Sequence, residues 1–332
     1  MHRSLFALFF LLGGNLTARP DLVSKGFLTI VNQREHTVVL FDLGAAKAVA
    51  TIEVGVNGHE VAISPDGKFA YVPIYGNSGV GKPGTDGQFI DVIDLHAHAI
   101  AAHIDLGKPV RPHCAKFGPD GLLYVSAELA NAVFVVDPAI RRVIAEIPTG
   151  AEQSHMLVIS PDGKRAYTAN VSAGTVSVLD LQKRALVTVI PVAKSVQRIS
   201  ISPDGRHVYT HDQEQPRIAV IDTATNTVSG FIAVPNTVYA SGVTADGQVL
   251  VAASPSGNVF EIDLKTSKLI ATVEVPPSSG ALFVPSDASD HRAFLSCPQA
   301  GSIQVLQIGL PKVSEVIPFT PGVDGLAWTS SL

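Results

Sequence analysis

The chain holds 332 residues, with 24 Lys and Arg against 29 Asp and Glu, a formal charge of −5. Charged residues make up only 16% and hydrophobic residues 46%, which excludes a disordered chain, because buried apolar surface can offset the ordering entropy. Gly (28) and Pro (22) break too many turns for a mainly helical bundle, and the acidic balance lacks the basic stripe that nucleic acid requires as a partner.

At the N-terminus, His2 and Arg3 precede an apolar run over residues 5–12, then Gly13-Gly14 and Ala18. A charged start, a short apolar stretch and a small residue form a signal-peptide pattern. We therefore expect residues 1–18 to be a signal segment and the protein to be exported, periplasmic or secreted. A buried N-terminal strand is the alternative. The run is shorter than the roughly 20 residues that span a bilayer, and no other stretch is long enough, so no membrane span is expected. Two cysteines, Cys114 and Cys297, cannot build a multi-bridge disulfide framework.

Beyond that segment one phrase returns: Ser64-Pro-Asp-Gly-Lys68, Gly118-Pro-Asp-Gly-Leu122, Ser160-Pro-Asp-Gly-Lys164, Ser202-Pro-Asp-Gly-Arg206 and Thr244-Ala-Asp-Gly-Gln248. Its aspartates are separated by 54, 42, 42 and 42 residues, and a degenerate copy over 285–291 follows one period later. Pro presets φ, Asp bonds locally and Gly accepts positive φ, so each phrase is a turn between two β-rich runs. A second phrase, an Asp between apolar residues, closes the third run of each unit at Asp42, Asp94, Asp137, Asp180, Asp222 and Asp263. Four short strands in 42 residues make one propeller blade. The chain begins mid-unit at residues 27–32 and ends on Gly322-Val-Asp-Gly-Leu-Ala-Trp-Thr329, which reads as an innermost strand. The expected fold is all-β: a seven-bladed β-propeller, four antiparallel strands per blade, closed by the C-terminal strand joining the N-terminal blade. It forms a single domain over residues 19–332.

Tyr167-Thr-Ala-Asn170, after Ser-Pro-Asp-Gly-Lys-Arg and before Val178-Leu-Asp180, resembles the YVTN-type propeller repeat. The resemblance covers essentially the mature chain. Its relatives include the haem-binding propeller of nitrite reductase, seven-bladed lactonases and exported proteins of unknown role. It implies fold more than function, since one fold hosts many chemistries.

In a propeller the loops that lead into each innermost strand lie on one face, around the channel. Aligned by distance from Pro-Asp-Gly, these inlet positions read His59, His113, His155, Gln197, Tyr239, Ser279 and Asp324. Histidine is about 3% of the chain (11 of 332), so three successive matches point to a site at the channel mouth. Duplicated repeats that merely retain an ancestral His are the competing explanation. The only large insertion, Gly-rich and spanning 73–87 with Tyr75, lies on the same face and reads as a lid or a solvated loop. It contains a G-x-G-x-x-G match, but Pro83 and the lack of a following helix exclude nucleotide binding.

The candidate catalytic residues are His113, His155 and Glu60. Candidate substrate-binding residues are Arg198, Tyr239, Tyr75, Gln197, His211 and Asp324, with Arg198 suited to hold a carboxylate bidentately. Candidate ligands for a divalent metal ion are His59, Glu60, His113 and His155. Arg111, Glu128, Asn170, Asp212 and Arg34 share this face and read as rim residues. His96, His98 and His103 read as a surface hairpin. Three functions compete: an enzyme of lactonase or lyase type using metal or imidazole acid–base chemistry on a small polar molecule; a metal or, less favoured, haem carrier; and a non-catalytic propeller that binds a protein or glycan.

Overall fold

The computed structural model describes residues 26–287 and 290–332; the expected signal segment, and residues 19–25 of the expected domain, lie outside them. Seven four-stranded antiparallel sheets form a ring of blades. Blade 1 takes its innermost strand, Val323–Thr329, from the C-terminus and continues with Phe27–Asn32, Thr37–Asp42 and Lys47–Glu53. The six remaining blades follow in chain order, with innermost strands Ala62–Ile63, Pro112–Phe117, Ser154–Ile159, Ile199–Ile201, Ala240–Val243 and Leu282–Phe283. Closure pairs Leu28 with Trp328 and Ile30 with Leu326, so Phe27–Asn32 is paired on both sides.

The repeated phrases act as the turns they spell. In blade 4 the Ser160 hydroxyl donates to Asp162 (2.7 Å), the amides of Lys164 and Arg165 donate to Asp162 and Ser160, and Gly163 takes φ 68°. Blades 2 and 5 repeat the pattern with Ser64-Asp66 and Ser202-Asp204. In blade 3 Gly118 replaces the serine, and the Tyr124 hydroxyl reaches Asp120 instead, at 2.7 Å. On the outer hairpins Asp42, Asp94, Asp180, Asp222 and Asp263 each accept the amide three residues on. A left-handed residue follows in each turn, Ala46 and His98 among them.

Apolar side chains fill the spaces between neighbouring sheets. One cluster joins blades 2 and 3 through Ile90, Val92, Val125 and Phe134, and another joins blades 7 and 1 through Phe294, Ile303, Leu28 and Ile30. The core thus lies between neighbouring blades. Two expectations come out differently. The insertion is a much shorter loop than expected, because the second and third strands of blade 2 lengthen to Phe69–Gly76 and Asp86–Asp94, leaving residues 77–85. The hairpin of His96 and His98 is on the surface as expected, while His103 reaches back to the buried Asp91 at 2.7 Å.

Candidate functional site

A local backbone device aims the inlet side chains of four consecutive blades. Two residues before Asp324, His59, His113 and His155 stand Gly322 (φ 110°), Asn57 (59°), Arg111 (51°) and Gln153 (57°), all left-handed. Immediately afterwards the pairing with the second strand slips by one residue in each blade: between Val323 and Leu326, Gly58 and Ala62, Pro112 and Ala115, and Ser154 and Met156. A one-residue bulge bends the strand and redirects a side chain. Here it turns the inlet residue toward the channel. The inlets of blades 5, 6 and 7 lack the left-handed residue.

The redirected groups touch one another around the mouth. His59 Nδ1 lies 3.4 Å from Asp324 Oδ2, and the Gln33 amide bridges both side chains. The His59 and His113 rings are 4.6 Å apart between centroids, and His113 and His155 are 3.6 Å apart, tilted by 33°. Gln197 Nε2 is 3.1 Å from both His155 Nε2 and the Tyr239 hydroxyl. Six of the seven aligned inlet positions thus form one continuous arc. One residue deeper, Arg198 of blade 5 crosses the channel to Glu60 of blade 2 at 2.9 Å and approaches Asp324 at 3.5 Å. Its guanidinium also lies over the Tyr239 ring. Beneath this pair a cavity of about 240 Å³ continues down the channel, walled by Met156, Leu157, Ile199, Leu282 and Leu326.

Glu128 forms the other node. It is 1% exposed and follows directly on the second strand of blade 3, Leu123–Ala127. One carboxylate oxygen accepts the Tyr75 hydroxyl and lies 3.7 Å from His155 Nδ1. The other faces Arg111 and the Gly81 amide, both at 3.4 Å. Arg111 in turn grips the 77–85 loop, donating to the carbonyls of Gly79 and Lys82 and to Asp86. The loop is therefore fastened to the carboxylate that faces the imidazole.

Electrostatics divide these groups. Burial holds His113 well below the usual imidazole range, aided by His155 and His59. Burial also lowers His155, against a partial opposing pull from Glu128. Burial alone would raise Glu128, but the bonds from His155 and Tyr75 outweigh it and leave the carboxyl below its ordinary value. Tyr75 is pushed far up by burial and by Glu128, so its hydroxyl keeps its proton. At neutral pH His113 and His155 are neutral beside the ionised Glu128. Among the described residues His113 has no hydrogen-bond partner, although it is 1% exposed and its Nδ1 is buried. His155 Nδ1 and Asp324 Oδ1 are buried too, but each faces a charged group, Glu128 at 3.7 Å and Arg198 at 3.5 Å. Every other polar side chain of the arc is bonded.

The sequence-expected residues are therefore placed unequally. His59, His113, His155, Gln197, Tyr239 and Asp324 meet at the mouth, with Glu60 and Arg198 directly below and Tyr75 against the His59 ring at 5.0 Å. Glu60 and Arg198 engage each other, so the Arg198 fork already has carboxylates. His211 stands behind the arc, both nitrogens taken by the Tyr239 carbonyl and the Ser241 hydroxyl at 3.1 and 2.8 Å. Asn170 and Asp212 serve their own turns. Among the described residues no three His, Cys, Asp or Glu side chains are grouped as a ligand set for a metal ion; the imidazoles lie ring against ring, which keeps their in-plane lone pairs from converging on one point. Gln33 was not anticipated. It follows Phe27–Asn32 as Glu128 follows Leu123–Ala127, so aligning the loop after each second strand would have found it.

Fold and site together define a class: a seven-bladed β-propeller with a polar, partly unsatisfied channel mouth. No protein family matches the sequence, and no curated protein matches it. Among solved structures the chain is similar to a chain of hydrazine synthase from Kuenenia stuttgartiensis, with a TM-score of 0.72 and 18% identity over 91% of this chain and 99% of that one. It is also similar to a functionally unknown protein from Desulfotomaculum acetoxidans, with a TM-score of 0.75 and 16% identity over 91% and 98%. At these identities the likeness is one of fold. The YVTN-type resemblance stands on the motifs quoted above.

Proposed function

We propose that this is an exported propeller whose channel mouth binds a small polar molecule and acts on it by imidazole acid–base chemistry, in the hydrolase or lyase class that the resemblance to propeller lactonases implies. The observation that carries the reading is His113: a buried imidazole that the fold leaves without any partner. An unsatisfied buried polar group costs on the order of 1–3 kcal/mol, and such groups accumulate where a ligand supplies the missing bond. Neutral His113 is suited to accept a proton. His155, its Nδ1 facing Glu128, packs ring against ring on His113 and holds it in place. Arg198 acts indirectly by fixing Glu60 and Asp324, and the 77–85 loop covers the mouth.

Hydrolysis of a panel of γ- and δ-lactones, followed by proton release, tests this. Turnover of at least one lactone is expected, with kcat/KM reduced about 100-fold or more in His113→Ala, the usual contribution of a general base. No hydrolysis of any member, or hydrolysis unchanged in that variant, contradicts the reading.

A further inference from the structure

We propose a second binding site, remote from the mouth: the cleft between blades 5 and 6 on the turn face takes a neutral aromatic molecule bearing a carbonyl oxygen. The cleft holds about 890 Å³, within the range of small-molecule sites. Its apolar wall comes from Tyr209, Val220 and Ile232 of blade 5 and Leu264 of blade 6. One position opens it. Opposite the third-strand residue that precedes the bulge with the fourth strand, the other blades carry Ala50, Ala102, Ala145, Thr188, Ala271 and Glu315. Blade 5 carries Gly230 there, paired with Val220. Gly230 shares the face of Ile232, two residues on, and a Cβ on it would meet no atom within 4 Å. Leu264 accordingly stays half-buried, while its counterparts Leu43, Leu95 and Leu181 are buried.

The floor of the cleft holds one free donor. Tyr209 is 4% exposed, and its hydroxyl has no hydrogen bond among the described residues. Its counterparts are bonded or covered: Tyr124 donates to Asp120 at 2.7 Å, Tyr167 meets the Thr223 hydroxyl, and Tyr71 lies against the Phe117 ring. On blade 6 Leu264 takes the place of Thr223 and Val243 that of Phe117, so neither a hydroxyl nor a ring of blade 6 reaches Tyr209. Burial, with Asp204, pushes the Tyr209 hydroxyl up to about 12, so it keeps its proton and can donate it. The charged lining residues lie at the rim. Asp204, Asp246 and Lys265 are exposed, Asp263 and His207 half-buried, and the three carboxylates are each bonded within their own turns. At the floor an ion would leave water for a neutral phenol alone, at large cost. An apolar ring with an uncharged oxygen acceptor matches that floor.

The test is fluorescence titration of the full chain with prodan, a neutral naphthyl ketone whose emission moves to the blue in apolar surroundings. Saturable, blue-shifted binding is expected. Acetylnaphthalene should displace the probe at least about tenfold more effectively than naphthoate, an anion of nearly the same shape, a difference of about 1.4 kcal/mol. Gly230→Leu fills the open space and should abolish binding without loss of stability. Tyr209→Phe keeps the ring, removes the donor and should weaken binding about threefold to tenfold, the range of one hydrogen bond. His113→Leu, at the mouth, should leave the titration unchanged. No saturable binding, naphthoate competing as well as the ketone, binding indifferent to both cleft substitutions, or binding lost in His113→Leu overturns the proposal.

Discussion

Blades 1 to 4 and blades 5 to 7 are built from the same repeat yet treat the channel differently. In the first group a left-handed residue and a one-residue slip turn Asp324, His59, His113 and His155 into the mouth. In the second, Gln197 and Tyr239 reach the arc from inlets without a left-handed residue, and Ser279 is exposed. At the opposite face the Pro-Asp-Gly turns keep nearly identical bonds across the ring. The contrast separates two kinds of repetition: one face preserves the turn that folds each blade, and the other varies the backbone that aims a side chain.

The largest expected effect comes from crowding the bulged half. A Cβ at Gly325 would overlap the His59 carbonyl oxygen and lie 2.8 Å from the Glu60 Cα, backbone that must shift. Gly325→Ala should destabilise by about 3 kcal/mol, typical of overpacking, and chemical denaturation measures it. A loss below about 0.5 kcal/mol would show that the two inlets are not tightly joined.

Acid sharpens the comparison next. Burial lowers His113 and His155, and it brings His211 in blade 5 down to about 3 from an ordinary 6.5. The unfolded chain takes up these protons as pH falls through 6.5 while the folded chain does not, so their contribution to stability is complete above 6.5 and declines below it. Each imidazole adds about 1.4 kcal/mol per pH unit to the slope between its two values. Denaturation between pH 7 and 4 should therefore show falling stability, with one proton's worth of slope removed in His211→Leu. A flat profile would contradict the burial of all three. Smallest is Asp162→Ala, which removes the bonds from Ser160 and Lys164. It should cost about 1 kcal/mol, and Asp204→Ala in blade 5 should match it, because the turn face does not distinguish the two halves.

Most of the fold was legible because its signals are local. Pro-Asp-Gly and the hairpin aspartates write their own turns, and period counting gave seven blades and the closing strand Val323–Thr329. The inlet alignment also brought His59, His113 and His155 together on adjacent blades. What escaped was pairing across the ring. No local pattern joins Arg198 to Glu60, 138 positions apart, or places Gln33 between His59 and Asp324. The Gly-rich insertion misled for a related reason: its ends continue the strands of blade 2, and Arg111 holds the remainder down.

The central claim is that the fold leaves His113 without a partner for the sake of a ligand. The most direct measurement compares unfolding free energies of His113→Leu and His211→Leu at pH 7.5 without ligand. Both imidazoles are buried, but His211 has both nitrogens bonded and His113 has neither. The account predicts that His211→Leu loses about 1–3 kcal/mol by leaving buried partners unsatisfied, while His113→Leu is as stable as the wild type or more so. A loss in His113→Leu equal to that in His211→Leu would make His113 a structural residue and contradict the account.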